Sequence, residues 1–160
     1  INRQDADLFF SFAPLLELYP GIESIPLSPD RFAVYVNERD GEILRQRGLS
    51  YLNELTQLVE YRSEGGPLFT GMIFSIREAM GLKPGNISYY SSNSTILIAV
   101  QAGMGFALLP TRMNFGCCPD NVTMIPLDLP EAEIHRALGW NRNNKNVSLR
   151  QFTEIVRGLD

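Results

Sequence analysis

Cysteine, histidine, basic charge and long apolar runs are all scarce in this sequence, and each shortage removes a class of function. The only cysteines are Cys117 and Cys118. Adjacent cysteines rarely pair with each other, and without spaced His or Cys partners they make no zinc site. Reduced thiols in a loop and a redox switch are the readings left open, and this usage fits a cytoplasmic setting best. His135 stands alone, so a His-based triad or metal cluster has no members to recruit, and a strand-edge position is expected. With 18 acidic against 14 basic residues and a net charge of −4, there is no electrostatic footprint for nucleic acid. The basic side chains, such as Arg45, Arg62, Arg112 and Arg150, are scattered, and the chain is not expected to hold DNA by itself. No stretch approaches the roughly 20 apolar residues of a spanning helix, so a membrane role is not expected. The start, Ile-Asn-Arg, has no basic-then-apolar leader and reads as a cut rather than a targeting signal.

What remains is a chain of 160 residues, 44% of them hydrophobic, enough for one ordinary domain or two small lobes. No repeat and no linker long enough to split it cleanly is visible. DLFFSF at 7–12 reads as a buried strand. Pro14, Pro20-Gly21 and Pro26 mark loops after it. FAVYVN at 32–37 reads as a second strand, and 42–57 carries mixed helical signals with Ser50 as a plausible cap. From Leu58 the pattern becomes strand, loop and helix in alternation. LVEY at 58–61 is a strand; Pro67 suits a first helical position; Phe69, Met72, Ile73, Ile76 and Met80 recur at helical spacing. Gly81 suits a left-handed helix end. ISYY at 87–90 is the next strand, SSNS can cap a helix over 95–102, and 105–109 is a strand that Pro110 stops. Further strands are expected at 122–127 and 136–141, with a last amphipathic helix capped by Ser148 and striped by Leu149, Phe152, Ile155 and Val156.

Strand–helix–strand alternation with short links is the signature of parallel β-α-β units. The expected class is therefore α/β, a Rossmann-like three-layer arrangement with helices on both faces of the sheet. Parallel strands covered on both faces read as continuous apolar runs, which explains why helix 95–102 and strand 105–109 are both so apolar. In such sheets ligands bind beyond the carboxyl ends of the strands. Two loops leave that edge and enter helix starts: Arg62-Ser63-Glu64-Gly65-Gly66 and Ser91-Ser92-Asn93-Ser94. A helix start carries roughly half a positive charge and favours an anion. Gly65 and Gly66 let the backbone approach a bound molecule, Ser92, Ser94 and Thr95 add hydroxyls, and Arg62 can pair with a carboxylate. A small anionic ligand is expected there; plain helix capping and a tight turn are the competing explanation. Catalysis has little support. RSEGGPLFTG lacks the lysine and glycine spacing of a phosphate loop, there is no GxSxG elbow, and Asp5, Asp7, Glu60 and Glu64 show no pairing by spacing. The chain is not expected to be an enzyme.

NSTILIAVQAGMGFALLP at 93–110 resembles the segment of LysR-type transcriptional regulators where a helix ends in V-x-A-G-x-G and a strand ends in L-x-P. DADLFFSF, IESIPLSPDRFAVYVNERDG and ALGWNRNNKNVSLRQFTEIVRGL are similar, in order, to other strands and the closing helix of that family's effector domain. The resemblance implies type II periplasmic-binding-protein-like lobes, residues 24–106 forming the second lobe and 1–12 with 107–160 the remaining part of the first. It implies a cytoplasmic bacterial regulator, a small-molecule effector, a homodimer or tetramer, no cofactor, and DNA contact only through a winged helix-turn-helix outside this chain. Its ligand positions fall on Ser11, on the loop Ser63–Pro67 with Phe69, and on the turn Ser92–Asn93. Adjacent Cys117 and Cys118 do not match the separated pair of the family's redox subclass. The alternative is a solute-binding protein of a transport system with the same lobes, against which stands the missing export leader.

Overall fold

The computed structural model describes residues 6–60, 66–112 and 119–158. Arg62, Ser63, Gly65, Cys117 and Cys118 lie outside the described residues. The chain divides into two compact units, one formed by 1–29 with 134–160 and the other by 30–133. The division needs no linker, because the chain enters the second unit and returns to the first at two separate crossings.

In the first unit, β1 (Phe9–Phe12) and β2 (Ile22–Pro26) flank β8 (Arg136–Asn141), both antiparallel to it. Helix α1 (Ala13–Glu17) begins where the Ala13 amide donates to the His135 carbonyl at 2.8 Å. Residues 22–26, expected as loop, are the strand β2. Its closing Pro26 is tolerated because an edge strand does not need every N–H. One face of the sheet carries Ile25 and Trp140, which pack with Leu149 of α5 (Val147–Arg157), joined by Leu8 and Val156. On the other, Gly139 keeps the floor low: a Cβ there would stand 3.0 Å from both Leu16 and Phe9. Helix α5 is capped by Asn146, whose side chain accepts from the Ser148 amide at 3.0 Å, not by Ser148. Its expected stripe is only partly used, since Leu149 is buried and Phe152 and Ile155 are exposed. Phe10, in the expected buried strand, is 76% exposed.

The second unit is a mixed sheet in the order β5-β4-β6-β3-β7. These strands are β3 (Asp30–Asn37), β4 (Gln57–Glu60), β5 (Ile87–Tyr90), β6 (Phe106–Pro110) and β7 (Val122–Pro126). β4 pairs in parallel with β5 and with β6, as the alternation predicts. β3 runs antiparallel to β6 and β7. These ladders hold β6 and β7 in the same unit as β3, whereas the sequence-based division ended the second lobe at 106.

Side-chain alternation gives each strand one residue set per face. Ala33, Tyr35, Leu58, Ala107 and Leu109 meet Ile96, Leu97, Ala99 and Val100 of α4 (Asn93–Gln101). The opposite set includes Phe32, Val34, Val36, Phe106 and Leu108, all buried. On that side, α2 (Glu38–Arg47) lays Gly41 against Thr123 of β7, and α3 (Gly66–Ala79) packs on the 3-10 turn Pro130–Ala132. Helices on both faces explain why residues 32–36 of β3 and all of β6 are apolar. β5 is at the sheet edge, and its Ile87 and Tyr89 are accordingly exposed. Gly103 ends α4 at φ +74°, and Gly105 sits at φ +153°, where a Cβ would meet the Thr56 carbonyl oxygen at 2.0 Å. No side chain fits there, and the Phe106 amide reaches that same carbonyl at 2.9 Å to open β6.

Candidate functional site

The parallel β4–β5 pair decides where the two loop-to-helix entrances stand. Glu60 and Tyr90, the last residues of the two strands, are register partners, so both strands end on the same edge, one strand spacing of about 4.8 Å apart. From that edge the chain continues into α3 after β4 and into α4 after β5. The two helix starts therefore share a rim, as the topology predicts.

At α4 the rim is built by a reciprocal cap. The Ser92 hydroxyl accepts from the Thr95 amide at 3.3 Å, the Thr95 hydroxyl accepts from the Ser92 amide at 3.3 Å, and it donates to the Ser92 carbonyl at 2.7 Å. Two orphan donors of the first turn are thus satisfied inside the helix. Ser92 has a structural role at this point, whatever else it meets. Asn93 follows it, half-buried, and lines a cavity.

That cavity, of about 200 Å³, lies between α3 and the sheet. Its α3 wall is Thr70, Ile73, Phe74 and Arg77; the sheet contributes Gln57, Val59, Ile87, Tyr89 and Leu108, with Glu60 and Asn93 at the rim end. Most of the lining is apolar, with few polar groups, as in small-molecule pockets. Gln57 is fully buried, and neither its Nε2 nor its Oε1 has a hydrogen-bond partner among the described residues. A buried polar group left unpaired costs about 1–3 kcal/mol.

The structure places the expected site residues as follows. Gly66 opens α3 and Phe69 lies in its first turns, with neither side position described. Ser92 and Asn93 lie at the start of α4. Ser11 lies in the other unit, half-buried on β1 opposite Ala137. Gln57 and Arg77 were not anticipated. The signal for Gln57 was its parity: it has the same strand face as Val59, so a polar side chain falls on a buried side. Among the described residues no group of three or more His, Cys, Asp or Glu could hold a metal. No helix among them is long and apolar enough to cross a membrane.

The profile of the LysR substrate binding domain matches residues 1–159. The chain belongs to this family. Sixty-five residues of the LysR substrate-binding domain described here are 35% identical to the HTH-type transcriptional regulator BudR of Raoultella terrigena, covering 41% of the chain and 22% of BudR. The chain is thus similar to a fraction of that relative's length. The BenM effector binding domain with its effector benzoate superposes at a TM-score of 0.72, with 22% identity over 96% of this chain and 68% of that one. The effector binding domain of QuiR in complex with shikimate gives 0.68, with 19% identity over 92% and 68%. Full-length CbnR in complex with its target DNA gives 0.73, with 17% identity over 94% of this chain and 51% of CbnR. These likenesses establish the fold, which is the type II periplasmic-binding-protein-like fold of LysR effector-binding domains.

Proposed function

We propose that this LysR substrate-binding domain senses a small anionic metabolite as the effector-binding part of a cytoplasmic bacterial transcription regulator. The regulator acts as a homodimer or tetramer and touches DNA through a winged helix-turn-helix outside this chain. The observation that carries the reading is the shared rim: β4 and β5 run in parallel and end in register, so the starts of α3 and α4 open on one edge. Two helix starts with the same polarity add their partial positive charges at one place and favour a carboxylate there. The acids named for two similar domains, benzoate for BenM and shikimate for QuiR, are of that chemical class. CbnR, with the same fold, is a protein that binds target DNA.

In this reading Arg62, Ser63, Gly65, Gly66, Phe69, Ser92 and Asn93 are the ligand positions of the larger unit and Ser11 that of the smaller, with Arg62 pairing the carboxylate and the glycines admitting close backbone approach. The site binds and does not transform its ligand. The test is thermal melting against a panel of metabolite carboxylates. At least one acid is expected to raise Tm, and Arg62→Ala and Ser92→Ala to shrink that rise; an unchanged rise in both variants discards the site. The residues encoded upstream of position 1 test the regulator itself. A helix-turn-helix segment is expected, and an apolar export leader would move the chain to solute transport.

A further inference from the structure

The cavity beneath α3 has an inner end that the rim does not explain. Helix α3 connects two parallel strands, so it runs antiparallel to them, and its last turn returns to the strand starts. Arg77 of that turn, Gln57 at the start of β4 and Ile87 at the start of β5 all line the cavity. Glu60, three strand residues further, marks the rim end, about 10 Å away at the usual rise per residue. Gln57 and Arg77 therefore share one end of the cavity with the apolar Val59, Ile73 and Leu108, while Thr70, Tyr89, Glu60 and Asn93 add polar groups elsewhere in its lining.

Their hydrogen-bonding state is what points to a ligand. Gln57 is 0% exposed, and its carboxamide has a free acceptor and a free donor group. The Arg77 Nε is likewise buried without a hydrogen-bond partner. One orphaned group is a packing cost that a fold tolerates. A carboxamide and a guanidinium Nε–H left unpaired on residues that line one cavity are a matched recognition pair: the N–H groups donate, and the carboxamide oxygen accepts.

We propose that this inner cavity is a second ligand-binding position, distinct from the rim, for a compact branched acid bearing a hydroxyl or amine. The carboxylate is held by Arg77 and the Gln57 amide N–H, the hydroxyl or amine donates to Gln57 Oε1, and the apolar body packs on Val59, Ile73 and Leu108. The cavity volume of about 200 Å³ limits the ligand to a small molecule.

2-Hydroxyisovalerate is the probe, with isovalerate, which lacks the hydroxyl, as its comparison; both are titrated into the 160-residue chain by calorimetry and thermal melting. Binding of 2-hydroxyisovalerate is expected, about tenfold tighter than isovalerate because a buried acceptor is then paired. Gln57→Met and Arg77→Met should each weaken it by at least about tenfold. Loss of binding in Ser92→Ala with full binding in Gln57→Met and Arg77→Met would overturn the inner position and leave the rim reading standing. Absence of any binding by the unaltered chain would overturn it too, with the rim still tested by its own carboxylate panel. A measurement that needs no variant is the side-chain NH₂ resonance pair of Gln57 in the ¹⁵N-labelled chain. It is expected to move with the probe, and an unmoved pair at saturation, as a water-filled hole would give, contradicts the proposal.

Discussion

Tyr51 shows how one buried hydroxyl ties two elements of the larger unit. Its phenol donates to Asp40 Oδ1 at 2.8 Å, with the residue only 8% exposed. Asp40 lies in the first turn of α2, where Asn37 also caps its amide at 2.7 Å, and a carboxylate is favoured there by the helix dipole. On its outer side Tyr51 carries the Arg47 guanidinium 5.1 Å from the ring centre, and Arg47 pairs with Glu54. Burial first, then the hydrogen bond to Asp40, raises the Tyr51 pKa above its ordinary value. The neutral phenol is therefore the form the fold favours. Its contribution is whole below the unfolded value near pH 10 and is lost as pH rises through the higher folded value. Tyr51→Phe is expected to cost about 1–3 kcal/mol in urea denaturation at pH 7. The variant should also lose less stability than the unaltered chain between neutral pH and strongly alkaline pH. Equal alkaline losses in both proteins would contradict this account.

At the same scale, the sequence revealed residues whose role is local and hid those whose role is made by distant partners. Ser92 was legible because a hydroxyl just before an apolar helix has one dominant use. Gln57 and Arg77 were not, because their significance is the cavity that places them together, which pairs a strand start with a helix end twenty positions later. Nothing in the spacing of a single strand or a single helix reports such a meeting.

Among elements, α4 and β6 owe their placement to a cap, two glycines and their apolar sides. Ser92→Ala removes the acceptor for the Thr95 amide and is expected to cost about 1 kcal/mol by chemical denaturation, with Ser92→Asp recovering most of it. A Ser92→Ala variant as stable as the original would mean that the reciprocal cap contributes nothing. Gly105→Ala is a harder test. The added Cβ would strike a backbone oxygen at 2.0 Å in a conformation reserved for glycine, so a loss of at least about 2 kcal/mol, or of soluble protein, is expected. Wild-type stability in that variant would show that the β4–β6 junction is not as described. β6 was legible because burial on both faces writes itself as unbroken apolar sequence ended by Pro. β2 was not, since IESIP lies at a sheet edge and alternates with polar residues. The cap of α5 was misplaced by two residues because Asn146 and Ser148 are both good capping types, and only the backbone decides between them.

At the level of the molecule, the fold class followed from the order of elements, whereas no composition break announced the division into units. A single composition break marks two domains in series, whereas here the smaller unit is assembled from both ends of the chain and the larger is inserted between them. Antiparallel ladders from β3 to β6 and β7, which no local pattern announces, hold those two strands in the inserted unit. That unit contains both helix starts of the rim and the whole lining of the cavity, so effector recognition by this LysR substrate-binding domain is expected to draw much of its affinity from residues 30–133.

The most direct test follows backbone amide resonances of the ¹⁵N-labelled chain while benzoate, shikimate and related carboxylates are titrated in. The rim account predicts that a binding acid moves the amides at 91–95 and those of Gly66 and 68–70 together, with one saturation curve. Changes at only one helix start, or confined to residues away from the carboxyl ends of β4 and β5, would contradict it.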